Sequence, residues 1–187
     1  MNIGVLGGTF DPPHDAHLRI AERSIDQFSL DKVIFIPSGN PWQKKDATSY
    51  RHRYEMTKIL IGDSNDLEIS DIENSEEKPS YTYETLKKLN HPKEELYFIL
   101  GSDAAINIKT WKKYELLSNL TNFLIALRSE DNINVLEKNF PFNYEIISGD
   151  KLDLSSTTLR NKLKEKNIEV SDLPSEIFTY IKENSLY

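Results

Sequence analysis

The chain has 187 residues, 38% hydrophobic and 28% charged, enough for one domain with its own core. Its formal net charge of −7 argues against general nucleic-acid binding, which depends on neutralising phosphates with Lys and Arg, although a local basic cluster can still hold a small anion. Cysteine is absent, which excludes disulfides and thiolate metal sites, and the N-terminal apolar run is too short for a signal peptide or a membrane span, so a cytoplasmic protein is expected.

In chain order, Asn2 to Leu6 reads as a short buried strand. Ala16 to Phe28 places Leu18, Ile20, Ala21, Ile25 and Phe28 near the period of a helix. Lys32 to Pro37 is a second buried strand, closed by proline. Tyr54 to Ile61 is helical in pattern, and Leu67 to Ile72 alternates like a strand with one exposed face. Pro79-Ser80 signals a helix over Tyr81 to Leu89. Leu96 to Leu100 and Phe123 to Leu127 are continuous apolar strands, and Tyr144 to Ile147 adds another. Helices over Ser156 to Lys166 and Ser175 to Lys182 close the chain. Charged loops are expected from Pro37 to Ser49 and from Asp71 to Ser80.

Apolar strands alternating with helices imply an α/β fold: a single domain over residues 1–187, with a Rossmann-like, doubly wound parallel sheet flanked by helices. In such a sheet, ligands sit beyond the carboxyl ends of the strands, where strand order reverses. The unusual residues of this chain cluster after those ends.

The first cluster is Gly7-Gly8-Thr9-Phe10-Asp11-Pro12-Pro13-His14-Asp15-Ala16-His17, which holds two of the four histidines. The glycines let a ligand approach the backbone, and the following helix offers free N–H groups to a phosphate. Neither G-x-G-x-x-G nor a Walker A lysine is present. Pro12 and Pro13 stiffen the lead-in, so His14 falls at the helix start and His17 in its first turn, on one face. Two imidazoles there can donate to developing phosphoryl charge. The plainer reading, exposed histidines at an ordinary helix start, fits a lone histidine better than this pair. A metal pair with Asp11 or Asp15 lacks a further strong ligand, so no metal site is expected in the protein itself.

This stretch resembles the signature of the HxGH nucleotidyltransferases, in the form carried by nicotinate mononucleotide adenylyltransferases. Four further blocks agree in order. They are Ile36-Pro37-Ser38-Gly39-Asn40-Pro41 with Lys44, Pro79-Ser80-Tyr81-Thr82 with Thr85-Leu86, Leu100-Gly101-Ser102-Asp103 with Trp111, and Leu154-Ser155-Ser156-Thr157 with Arg160. The ending, with Leu173-Pro174, Tyr180-Ile181 and Leu186-Tyr187, also fits. Two positions depart from the family pattern: Ala16 replaces a glycine, and Gln43 replaces a histidine.

The resemblance implies catalytic roles for His14 and His17. It implies ATP or phosphate contacts from Gly7, Gly8, Thr9, Phe10, Lys44, Ser155, Ser156, Thr157 and Arg160. Nicotinate mononucleotide would meet Tyr81, Thr82, Asp103 and Trp111. Physically, hydroxyls, a helix start and a guanidinium suit a triphosphate, and an indole suits a pyridine ring. A capped helix and a core tryptophan are the plain alternatives for the same residues. Mg²⁺ would arrive with ATP. The implied partners are these two nucleotides, with no nucleic acid and no membrane; a homo-oligomer is allowed. Another acceptor, or a catalytically silent nucleotide-binding module, stays open at this level.

Overall fold

A computed structural model of the chain describes residues 1–41, 46–127, 133–150, 154–165 and 173–187. Among these, six strands form one parallel sheet: β1 (Ile3–Gly8), β2 (Lys32–Pro37), β3 (Leu67–Ile69), β4 (Leu96–Gly101), β5 (Asn122–Ala126) and β6 (Glu145–Ile147). The order across the sheet is β3-β2-β1-β4-β5-β6, so direction of travel reverses between β1 and β4. Gly8 pairs with Pro37 and Leu6 with Ile99, which brings the ends of β1, β2 and β4 to one edge.

Alternate residues of each strand feed two cores. Leu6, Phe35, Ile99 and Leu124 pack with α1 (Asp15–Phe28), α2 (Tyr50–Ile61), α6 (Ser156–Lys164) and α7 (Ser175–Glu183) on one face. Val5, Ile36, Phe98 and Ile125 pack with α3 (Thr82–Leu89), α4 (Ser102–Ile106) and α5 (Ile133–Asn139) on the other. Strands buried on both faces must be apolar throughout, which is why they read as continuous runs. Local signals set the ends. α1 stops at Ser29 and α3 at Asn90, both in the left-handed region with φ of 51° and 48°.

Several boundaries differ from the sequence expectation. α2 begins at Tyr50 rather than Tyr54, because its first turn, Tyr50-Arg51-His52-Arg53, lacks an apolar period. β3 ends at Ile69, since only Leu67–Ile69 pairs with β2. α4 and α5, with five and seven residues, are too short to show periodicity. Ile99 is fully buried at the centre of the sheet. Ile99→Ala should cost about 2–5 kcal/mol, read from the urea midpoint, with the m-value unchanged.

Candidate active site

Two groups of residues meet at the end of β1. The first surrounds the start of α1. His14 is its N-cap, with an extended backbone (φ −154°, ψ 171°), and its N–H donates to Nδ1 of His17 at 3.2 Å. Accepting at Nδ1 leaves Nε2 as the donating nitrogen of a neutral His17 ring. The two ring centroids are 3.9 Å apart, and the Phe10 ring meets His17 edge-on at 5.0 Å. His14 is buried and His17 half-buried. Phe10 has a φ of 51° and turns its side chain into the core against Phe35, so its backbone is what remains for a ligand. Ala16 is buried in α1, where its methyl is accommodated.

The start of α6 is tied to the same turn. Ser156 Oγ donates to the carbonyl of Pro12 at 2.9 Å, and Arg160 Nη1 donates to the carbonyl of Asp11 at 2.7 Å. Arg160 Nη2 also reaches Thr157 Oγ1 at 3.3 Å, and Ser155 Oγ caps the helix by accepting from the N–H of Thr158. The expected anion-binding residues Ser155, Ser156, Thr157 and Arg160 are thus gathered beside the histidines. Their polar groups brace the turn across a separation of 149 residues in the case of Arg160. Lys44 and Gln43 lie outside the described residues.

The second group lines a cleft of about 640 Å³ on the α3–α4 side of the sheet. Gly7, Gly8 and Thr9, at the end of β1 beside the histidine turn, line it together with Tyr81, Thr82, Asp103 and Trp111. Tyr81 is the N-cap of α3, so the first N–H groups of that helix face this region. Trp111 meets Phe98 edge-on at 6.1 Å. The structure therefore brings the expected mononucleotide residues together and sets them across Gly7–Thr9 from the histidines. His14, His17 and the α6 residues are not among those lining this cleft.

Two neighbours of the site, Arg53 and Glu73, escape the sequence patterns, and the partners of Asp11 are visible only in the fold. Arg53 is fully buried, and its guanidinium donates to the carbonyls of Thr48 (2.6 Å), Thr9 (2.8 Å) and Gly39 (3.1 Å). Burial pushes its pKa down, and the nearby Asp11 charge opposes this. Asp11 is itself buried, accepting from the Tyr187 hydroxyl and from the N–H of Thr48 at 3.3 Å. Burial, then the Asp11 charge, push the Tyr187 phenol up, so it stays a proton donor. Glu73 lines the cleft and accepts from the Thr85 hydroxyl. Burial raises its pKa, against the lowering effect of hydrogen bonds from Thr85 and Ser80. Ser80 Oγ in turn accepts from the N–H groups of Gly39 and Asn40. A Cβ on Gly39 would lie 1.9 Å from the carbonyl oxygen of Glu73, so only glycine allows this approach.

Comparison with known proteins agrees with this geometry. A profile of the cytidylyltransferase-like family matches residues 5–162, and the chain belongs to that family. A probable nicotinate-nucleotide adenylyltransferase of Desulfitobacterium hafniense (strain Y51) is 39% identical, over 99% of this chain and 95% of its own length. One of the same description from Clostridium botulinum (strain Okra / Type B1) is 37% identical, over 100% and 99%. The solved structure of Plasmodium falciparum nicotinic acid mononucleotide adenylyltransferase, complexed with NaAD, superposes with a TM-score of 0.83 at 27% identity, covering 100% of this chain and 97% of that one. No helix among the described residues is long and apolar enough to cross a membrane.

Two outcomes follow from the buried charges. Arg53→Met strands three carbonyls and should cost about 3 kcal/mol or more, read by urea unfolding. The raised pKa of Glu73 means its folded form holds the proton more tightly than its unfolded form. The resulting stability is present below the ordinary carboxylate pKa and is lost as pH rises through the folded value. The stability of Glu73→Gln relative to the parent should therefore improve as pH rises above the ordinary carboxylate pKa, measured as urea midpoints across a pH series.

Proposed function

We propose that this chain transfers the adenylyl group of ATP to nicotinate mononucleotide, giving deamido-NAD and pyrophosphate, as a step of NAD biosynthesis. The observation that carries this reading is the shared Gly7–Thr9 stretch, with an imidazole pair on one side and an aromatic-walled cleft on the other. Full-length relatives named for this activity support it. The proposed setting of this reaction is the cytoplasm.

The acceptor lies in the cleft, with its ring between Tyr81 and Trp111 and its ribose near Asp103. Its phosphate then points toward Gly8 and Thr9. ATP lies across the α1 and α6 starts, where free N–H groups and Arg160 attract the triphosphate. An oxygen of the acceptor phosphate attacks the α-phosphorus of ATP. The bond from that phosphorus to the oxygen bridging to the β-phosphate breaks, and pyrophosphate leaves with the electron pair. His17, donating from Nε2, and His14 stabilise the charge that grows on the transferring group. No covalent enzyme intermediate is required; the rate comes from placing two nucleotides in line.

Among the described residues, no three His, Cys, Asp or Glu side chains are grouped to hold a metal ion. Asp11, in the turn that leads to the histidines, is taken up by Tyr187 and Thr48. Mg²⁺ arriving with the nucleotide would neutralise part of the triphosphate charge.

Pyrophosphate release from ATP and nicotinate mononucleotide tests the reaction, and no release with any pyridine mononucleotide would leave only a silent nucleotide-binding module. His17→Ala should lower turnover by roughly 100-fold or more with the fold intact by circular dichroism. A rate near that of the parent would remove His17 from the chemistry.

A further inference from the structure

Lys112 lines the cleft immediately after Trp111, and its ammonium lies 4.2 Å from the centroid of the Tyr81 ring. Tyr81 caps α3, so this contact holds a cation beside the helix start that faces the cleft. The described lining residues include two carboxylates, Glu73 and Asp103, and Lys112 is the one lysine or arginine among them. An acceptor bearing both a phosphate and a ring carboxylate enters a cleft in which the Asp103 carboxylate opposes it. A positive group within the same walls offsets that opposition.

The N–H groups at the start of α3 favour an acid over its amide through the helix dipole, and a cation in the same walls adds to that preference. Net charge is what separates the two acceptors, and an ammonium responds to net charge. Lys112, Tyr81 and Trp111 all line the cleft, and the Lys112 ammonium lies against the Tyr81 ring. A flat heterocycle stacked there carries its substituent to the ammonium, while its phosphate lies toward Gly8 and Thr9. Resting on the acceptor proposed above, we infer that Lys112 is a specificity-determining residue: its ammonium pairs with the carboxylate on the acceptor's pyridine ring and favours the acid over the amide.

The experiment compares kcat/KM for nicotinate and nicotinamide mononucleotides, at saturating ATP, in the parent, Lys112→Met and Lys112→Arg. Lys112 is exposed, so neither substitution disturbs the core. Lys112→Met should lower kcat/KM for the nicotinate form roughly fivefold or more and leave the nicotinamide form within about twofold, with Lys112→Arg restoring most of the loss. An equal loss with both acceptors would assign Lys112 to their shared phosphate and overturn the inference. No loss with either would make it a surface cation and also overturn it. A parent protein inactive with both acceptors would instead overturn the proposed reaction, and this inference with it.

Discussion

The guanidinium of Arg53 is the contact on which the site's geometry depends. It joins three carbonyls from three separate stretches: Thr9 in the turn after β1, Gly39 in the loop after β2, and Thr48 before α2. Each bond from a buried cation to a carbonyl is charge-assisted. The Thr48 N–H continues the chain of contacts to Asp11, and the Tyr187 hydroxyl completes it. Ser156 and Arg160 approach the same Asp11–Pro12 backbone from α6. The histidine turn is thus fixed by side chains from α2, α6 and the segment after α7, and little of its shape is local.

That division explains what a reader of the sequence can and cannot recover. The parallel sheet is legible because strands such as Leu96–Leu100, buried on both faces, are apolar without alternation. The two histidines are legible because a helix start places positions three apart on one face. Arg53 leaves only one trace: it falls on the buried face of α2 with Met56, Thr57 and Leu60, a charge at spacing otherwise held by core residues. What neutralises its cost, the carbonyls of Thr9 and Gly39, is visible only once β1 and β2 lie side by side. The Asp11–Tyr187 contact spans 176 residues and has no sequence signature. The motif resemblance locates the residues of α6, and the fold shows that Ser156 and Arg160 also hold the turn they serve.

In the proposed arrangement the sheet separates the two nucleotides. Val5, Phe98 and Leu100 belong to the core on the α3–α4 face, and they line the cleft assigned to the acceptor. α1 and α6 pack on the opposite face, so the helix starts assigned to ATP lie across the strand end. Gly7 and Gly8 form the end of the strand that lies between the two sides. With little side chain in the way, an oxygen on one side can reach a phosphorus on the other. The architecture therefore favours one direct displacement over two steps through a protein nucleophile.

The stereochemical course at the transferred phosphorus tests this most directly. ATP made chiral at the α-phosphorus by sulfur and oxygen-isotope substitution would be turned over with nicotinate mononucleotide, and the configuration of the dinucleotide product determined by ³¹P NMR. Direct in-line transfer between two nucleotides held on either side of β1 predicts inversion. Retention would require a covalent adenylyl-enzyme and would contradict the account.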